Sequence, residues 1–273
     1  VKKQFLSAFI ALAIFYAAPA FAKAAEDRKT DLTYDVYAGG IHALDAHLSI
    51  KKNKQKYDIT LSAATQGLLK RLANWSGKFS SNGLFLKRLP SPLLHKSSST
   101  WKEKTETKNF HYNSAGKFLS YKVDEDGRDK TPKDIDKNLA KGTTDVLSAT
   151  FRLMLSLPKN TACNGNALVY DGDRTYRLIF ADTKKETLKK SSYNIYDGES
   201  VSCTVEVKPE KGKWRKKPRG WLSIQEQGRQ KGALPTVWFG QMAGQKDYYV
   251  PVKIRVKTDY GTLFMHLTSA KTQ

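Results

Sequence analysis

The side chains able to do chemistry are few: two cysteines, five histidines and a scatter of serine–lysine pairs in a lysine-rich chain of 273 residues. Cys163 and Cys203 are too far apart for a C-x-x-C redox motif, and neither has His or carboxylate partners at zinc-ligand offsets. In an oxidising compartment two such thiols pair. The loop they would close contributes about 4 kcal/mol in the chain-entropy model. The histidines are His42, His47, His95, His111 and His266. His42 and His47 stand five apart in a predicted strand, so they point to opposite faces and cannot share a metal unless the chain bends. Ser-x-x-Lys occurs at Ser49–Lys52, Ser99–Lys102 and Ser114–Lys117, without the S-D-N or K-T-G partners of a serine–lysine hydrolase. Nucleophile-elbow, H-E-x-x-H and P-loop patterns are absent. The acidic stretch Asp124–Asp129 resembles a calcium loop only superficially, since Lys122 and Lys133 fall on its first and twelfth positions. It reads as a hairpin turn. The sequence therefore assigns no catalytic residue, no metal and no cofactor, and it points to a non-enzymatic protein.

A basic surface feature remains. Between Lys211 and Trp221, the cations Lys213, Arg215, Lys216, Lys217 and Arg219 surround Trp214, with Pro209 and Pro218 nearby. Tryptophan beside cations suits an anionic or interfacial contact; the competing reading is a solvated loop. Lys253, Arg255 and Lys257 form a second basic stripe, which is also what the outer face of a sheet would show. The whole chain carries a formal charge of +21. Such a charge steers anions to the surface.

Which anions depends on the compartment. A basic head (Lys2, Lys3), an apolar run from Phe5 to Ala18 and small residues at Ala20 and Ala22 make a secretory signal, with cleavage expected between Ala22 and Lys23. The run is shorter than the roughly 20 residues that span a bilayer. Residues 1–22 are thus a leader and 23–273 one β-rich exported domain without a transmembrane segment. Losing Lys2 and Lys3 lowers the charge from +21 to +19. Export argues against nucleic acid and for an anionic envelope component or another envelope protein.

The elements that must position these residues read as strands. Tyr57, Ile59 and Leu61 alternate with polar residues, as do Val201, Cys203, Val205 and Val207, and later Val250, Val252, Ile254 and Val256. Turn chemistry appears at Gly39-Gly40, Ser81-Asn82-Gly83, Asp126-Gly127, Asp171-Gly172 and Asp197-Gly198. One segment changes period. From about Asp145 to Ser156, Val146, Leu147, Phe151, Met154 and Leu155 lie at helical spacing, with threonine available to cap and Pro158 as the stop. Gly67–Leu72 is too short to assign. Arg128–Lys141 and Lys208–Gly220 read as loops. The fold class is mainly β: an antiparallel open barrel or β-spiral of many short strands with one amphipathic helix.

Four pieces carry a family resemblance. They are Tyr34-Asp35-Val36-Tyr37-Ala38-Gly39-Gly40-Ile41; Thr144-Asp145-Val146-Leu147-Ser148; Cys163 followed by Val169-Tyr170-Asp171-Gly172-Asp173-Arg174-Thr175-Tyr176; and Cys203 with Pro251-Val252-Lys253-Ile254. In this order they resemble an uncharacterised family of proteobacterial exported proteins, domain-of-unknown-function family 3108. The resemblance implies a periplasmic β-rich domain and a Cys163–Cys203 disulfide; it supplies no reaction. The Lys211–Arg219 run lies outside the family pattern. The leading expectation is a binding or envelope-integrity factor. The alternative is a carrier of lipid or lipoprotein with an acyl-sized cavity.

Overall fold

A computed structural model describes residues 27–214, 221–230, 232–258 and 261–273, with the side chains of 221–224 not described. In chain order the elements are β1 (Arg28–Ala38), β2 (Ile41–Lys52), β3 (Lys56–Thr65), α1 (Gly67–Leu72), β4 (Trp75–Leu86), β5 (Leu89–Trp101), β6 (Lys104–Tyr112), β7 (Phe118–Glu125) and β8 (Arg128–Asp129). Then follow α2 (Val146–Asn160), β9 (Gly165–Tyr170), β10 (Arg174–Leu188), β11 (Gly198–Gly212), α3 (Trp221–Gln230), β12 (Thr236–Gly240), β13 (Val250–Thr258) and β14 (Gly261–Thr272).

All described strands join one antiparallel sheet in the order β8-β7-β6-β5-β4-β3-β2-β1-β14-β13-β12-β11-β10-β9. Two meanders, one from each half of the chain, meet where β1 pairs with β14. The mainly β, open antiparallel architecture is as the alternation predicts. The strands are longer than expected: β10 and β11 each have 15 residues and β5 has 13. Length is tolerated because bulges re-aim the strands, for instance at Val36/Tyr37 and Asn82/Gly83.

The inner face carries one main core. Leu32, Tyr34, Ile50, Tyr57, Cys203, Val250, Val252 and Leu267 bury against Phe151, Met154 and Leu157 of α2. The Cys163–Cys203 disulfide ties the segment after α2 to β11, with Cα atoms 5.5 Å apart. Among the described residues no helix is long and apolar enough to cross a membrane.

Several local expectations are corrected. Ser81-Asn82-Gly83 is no turn: β4 continues through it, with a bulge at Asn82/Gly83. Glycine is needed at position 83 for close packing, because a Cβ there would stand 2.1 Å from the Ser91 carbonyl oxygen and 2.7 Å from the Tyr57 hydroxyl. Asp197-Gly198 opens β11 rather than forming a tight hairpin, and β11 extends into the supposed loop as far as Gly212. Among the described residues three helices are present instead of one. α2 begins after Asp145, whose side chain rather than a threonine supplies the cap by accepting from Ser148 N.

Pro158 does not stop α2, which continues to Asn160. Proline removes the amide that would reach the Met154 carbonyl. The Tyr249 backbone N–H donates to that carbonyl instead, at 3.0 Å. A partner from across the fold thus satisfies the acceptor and lets the helix run on.

Candidate functional site

The sheet curls until its two ends face each other, and the candidate site lies where they meet. Aromatic side chains bridge the ends. Phe110 of β6 stacks on Tyr121 of β7 at 5.3 Å between centroids, and Tyr170 of β9 meets Tyr121 edge-on at 5.9 Å. Both the Tyr121 and the Tyr170 hydroxyls donate to the Gly172 carbonyl, at 3.0 and 2.6 Å. The outer edge of β9 is covered as well. Thr144 forms a parallel bridge to Val169, and its N–H donates to the Leu168 carbonyl at 2.9 Å. An open edge would otherwise expose unpaired backbone groups.

Beside this seam is a cleft of about 860 Å³. Its walls come from the start of β5, the β6–β7 turn, the segment 137–144, Arg152 on α2 and the middle of β9. The lining includes four cations, Lys117, Lys137, Lys141 and Arg152, and no carboxylate. Asn138, Asn166 and the ring of Phe118 also line it. Two polar atoms on the wall are shielded from solvent without a hydrogen-bond partner, Arg152 Nε and Thr144 Oγ1. Thr144 is only 9% exposed. The Arg152 guanidinium is held in place by Nη2 donating to the Pro90 carbonyl at 3.2 Å. Buried polar atoms are almost always paired, so an orphan donor and hydroxyl on the wall of a cationic cleft suit an anionic, hydrogen-bonding ligand.

Under the N-terminus of α2 lies a buried polar network. Ser81 Oγ donates to Asp145 Oδ1 at 2.6 Å and sits 2.7 Å from His95 Nδ1. Ser148 donates to Asp145 through both its N–H and its hydroxyl, at 2.9 and 2.6 Å, and Tyr57 OH lies 2.7 Å from Ser148 Oγ. Serine, histidine and aspartate together suggest a triad, but the wiring is wrong for one. In a triad the imidazole stands between nucleophile and acid, using its two nitrogens. Here Ser81 and Asp145 approach the same nitrogen, Nδ1, the latter at 3.4 Å. Since the Ser81 proton goes to Asp145, His95 Nδ1–H donates to the hydroxyl. Burial pushes the His95 pKa down, partly offset by Asp145. Burial, with Asp145 adding to it, pushes the Tyr57 phenol up. The network clamps α2 onto β3, β4 and β5.

Sequence-predicted residues fare unevenly. Cys163 and Cys203 are brought together. Of the predicted anionic contact, Trp214 packs against the core with Arg174 over its ring at 4.9 Å, and its indole N–H donates to the Lys211 carbonyl. Lys213 is exposed. Arg215, Lys216, Lys217 and Arg219 lie outside the described residues, as do Ala22, Lys23 and the whole leader. In the other stripe, Lys253 and Arg255 lie against the Trp238 ring at 5.1 and 5.5 Å.

His42 and His47 require a correction. Val36 pairs with Leu44 but Tyr37 pairs with His42, so Ala43 is bulged. That extra residue resets the alternation. Ala43, Ala46 and Leu48 turn inward, while His42, Asp45 and His47 share the outer face. The cationic cleft, in turn, was not visible in advance. Its lysines are scattered from 117 to 141, and only the meeting of the sheet ends assembles them.

The fold and cleft together define a mainly-β class: one open antiparallel sheet, curled around a core helix and closed by aromatic side chains. The chain belongs to the DUF3108 family of proteins of unknown function, whose family model matches residues 33–268. No curated protein matches it significantly in sequence. Among solved structures it is similar to a beta-barrel-like protein of domain of unknown function DUF1849 from Brucella abortus. The two share 7% identity and a TM-score of 0.47 over 90% of this chain and 98% of that one.

Proposed function

We propose that the protein is a non-enzymatic periplasmic binding protein whose ligand is an anionic saccharide of the cell envelope. The observation that carries this reading is the cleft at the seam, with four cations, no carboxylate and an unpaired buried Arg152 Nε on its wall. Its volume of about 860 Å³ is within the usual range for small-molecule sites. Lysine and arginine suit phosphate or carboxylate groups. The amides of Asn138 and Asn166 and the ring face of Phe118 suit the hydroxyls and apolar faces of a sugar.

Export rests on the leader, with its basic head, apolar run and Ala20/Ala22 cleavage site, and the periplasmic destination on the resemblance to proteobacterial exported proteins. The non-enzymatic reading rests on the buried, miswired Ser81–His95–Asp145 network and on the catalytic motifs the sequence lacks. An acyl carrier would need an apolar cavity inside the sheet, and α2 fills that space with Phe151 and Leu157, both 0% exposed. Native mass spectrometry of protein released gently from the periplasm tests the choice. A co-purifying phosphorylated or carboxylated sugar supports the reading, and a bound acyl lipid overturns it.

A further inference from the structure

We propose that Asp35, His42 and Asp45 form a binding site for a first-row divalent transition-metal ion on the outer face of the β1–β2 pair. Each residue offers one ligand atom, and these atoms all lie within 4.8 Å of one another. His42 Nε2 is 2.8 Å from Asp45 Oδ1 and 3.9 Å from Asp35 Oδ1. The site is separate from the cleft and does not depend on how the cleft is read.

Three features argue that the cluster is built rather than incidental. Asp35 and Asp45 are directly opposed in the β1–β2 register. Like charges in that position repel across a strand pair, so the arrangement costs stability unless a cation joins it. The bulge at Ala43 is what carries His42 onto the same face, beside both carboxylates. His42, its side chain 40% exposed, holds Nε2 2.8 Å from Asp45 Oδ1 in an ion-pair contact without hydrogen-bond geometry. No hydrogen bond fixes this nitrogen, whose contacts with Asp45 and Asp35 are ionic ones that a bound cation would replace.

The surroundings fit a metal ligand set. Tyr37 OH donates to Asp35 Oδ2 at 3.3 Å, fixing the carboxylate through the oxygen that faces away from His42. Hydrogen bonds of this kind orient ligating groups. His266 stands opposite Asp35 on β14, and the Tyr37 ring lies 5.4 Å from His42 and 6.2 Å from His266. Two carboxylates and a neutral imidazole balance a divalent charge. One nitrogen among three ligands favours zinc or its first-row neighbours over magnesium or calcium, which prefer all-oxygen shells. Water would complete the coordination.

The test is calorimetric titration of the folded, disulfide-intact protein with zinc chloride, with thermal melts in parallel. One zinc ion per chain is expected, not displaced by excess magnesium. His42→Ala and Asp45→Asn should each weaken binding at least tenfold and lose the zinc-dependent rise in Tm. His47→Ala, outside the set, should bind as the wild type does. Without metal, Asp45→Asn should melt at or above the wild-type temperature, because it removes the carboxylate repulsion. Absence of zinc binding by the wild type, or zinc binding by His42→Ala and Asp45→Asn at wild-type strength, would overturn the proposal.

Discussion

Tyr121 and Gly172 meet across the gap between the two ends of the sheet, the phenol of one donating to the carbonyl of the other at 3.0 Å. No strand pairing spans that gap among the described residues, where β7 and β8 end one side of the order and β9 the other. Side chains therefore do there what a backbone ladder does elsewhere. Tyr121→Phe should cost little, about 1 kcal/mol, because Tyr170 still donates to Gly172. Tyr121→Ala should cost about 3 kcal/mol or more, since it also removes the ring stacked on Phe110. Chemical denaturation of both variants checks this; equal costs would mean that the ring is not what holds the seam.

Asp145 is the cap of α2 and the acceptor for Ser81 and Ser148. Asp145→Ala should destabilise by about 3 kcal/mol or more. It removes an N-cap, typically about 1 kcal/mol, and strands buried donors at a further ~1–3 kcal/mol. Thermal unfolding should show Asp145→Asn falling between wild type and alanine.

His95 gives the fold a pH dependence with a definite sign. Burial lowers its folded pKa, with Asp145 opposing, so the unfolded chain takes up the proton first. The neutral ring contributes fully above an unfolded pKa of about 6.5. That contribution is lost as the pH falls towards the folded value. His266 shifts in the same direction, through burial and then Lys253. Stability measured from neutral to mildly acidic pH should fall less steeply for His95→Gln than for wild type. Parallel curves would show that the His95 proton is not coupled to folding.

The Cys163–Cys203 bond closes a loop across 40 residues of sequence. The double variant Cys163→Ala/Cys203→Ala should lose about 4 kcal/mol in the chain-entropy model. Alkylation of the native protein should add no mass until a reductant is supplied.

How much of this was readable in advance depends on the range of the interaction. Strands showed through the alternation of residues such as Val250, Val252 and Ile254, and the helix through the spacing of Phe151 and Met154, because both patterns are local. The end of α2 was not readable, since Tyr249, 95 positions from Met154, decides whether Pro158 is tolerated. Gly83 looked like turn chemistry because close approach and positive φ both demand glycine. His42 and His47 looked opposed because a bulge leaves no mark in composition. The cleft was invisible for a related reason: Lys117, Lys141 and Arg152 become neighbours only when the sheet ends meet.

The central claim is that the cationic cleft holds an anionic saccharide. The direct measurement is a binding titration of the protein with a bisphosphorylated glucosamine disaccharide, using the unphosphorylated disaccharide as control. Lys117, Lys137 and Lys141 are exposed, so their triple replacement by glutamine should leave the fold intact. The account predicts that the wild type binds the phosphorylated sugar, more weakly as salt rises, and that the triple variant loses about tenfold or more in affinity, an expectation set by the Coulomb contribution of charges at a binding surface. Equal affinity for both sugars, or an unchanged affinity in the triple variant, would contradict it.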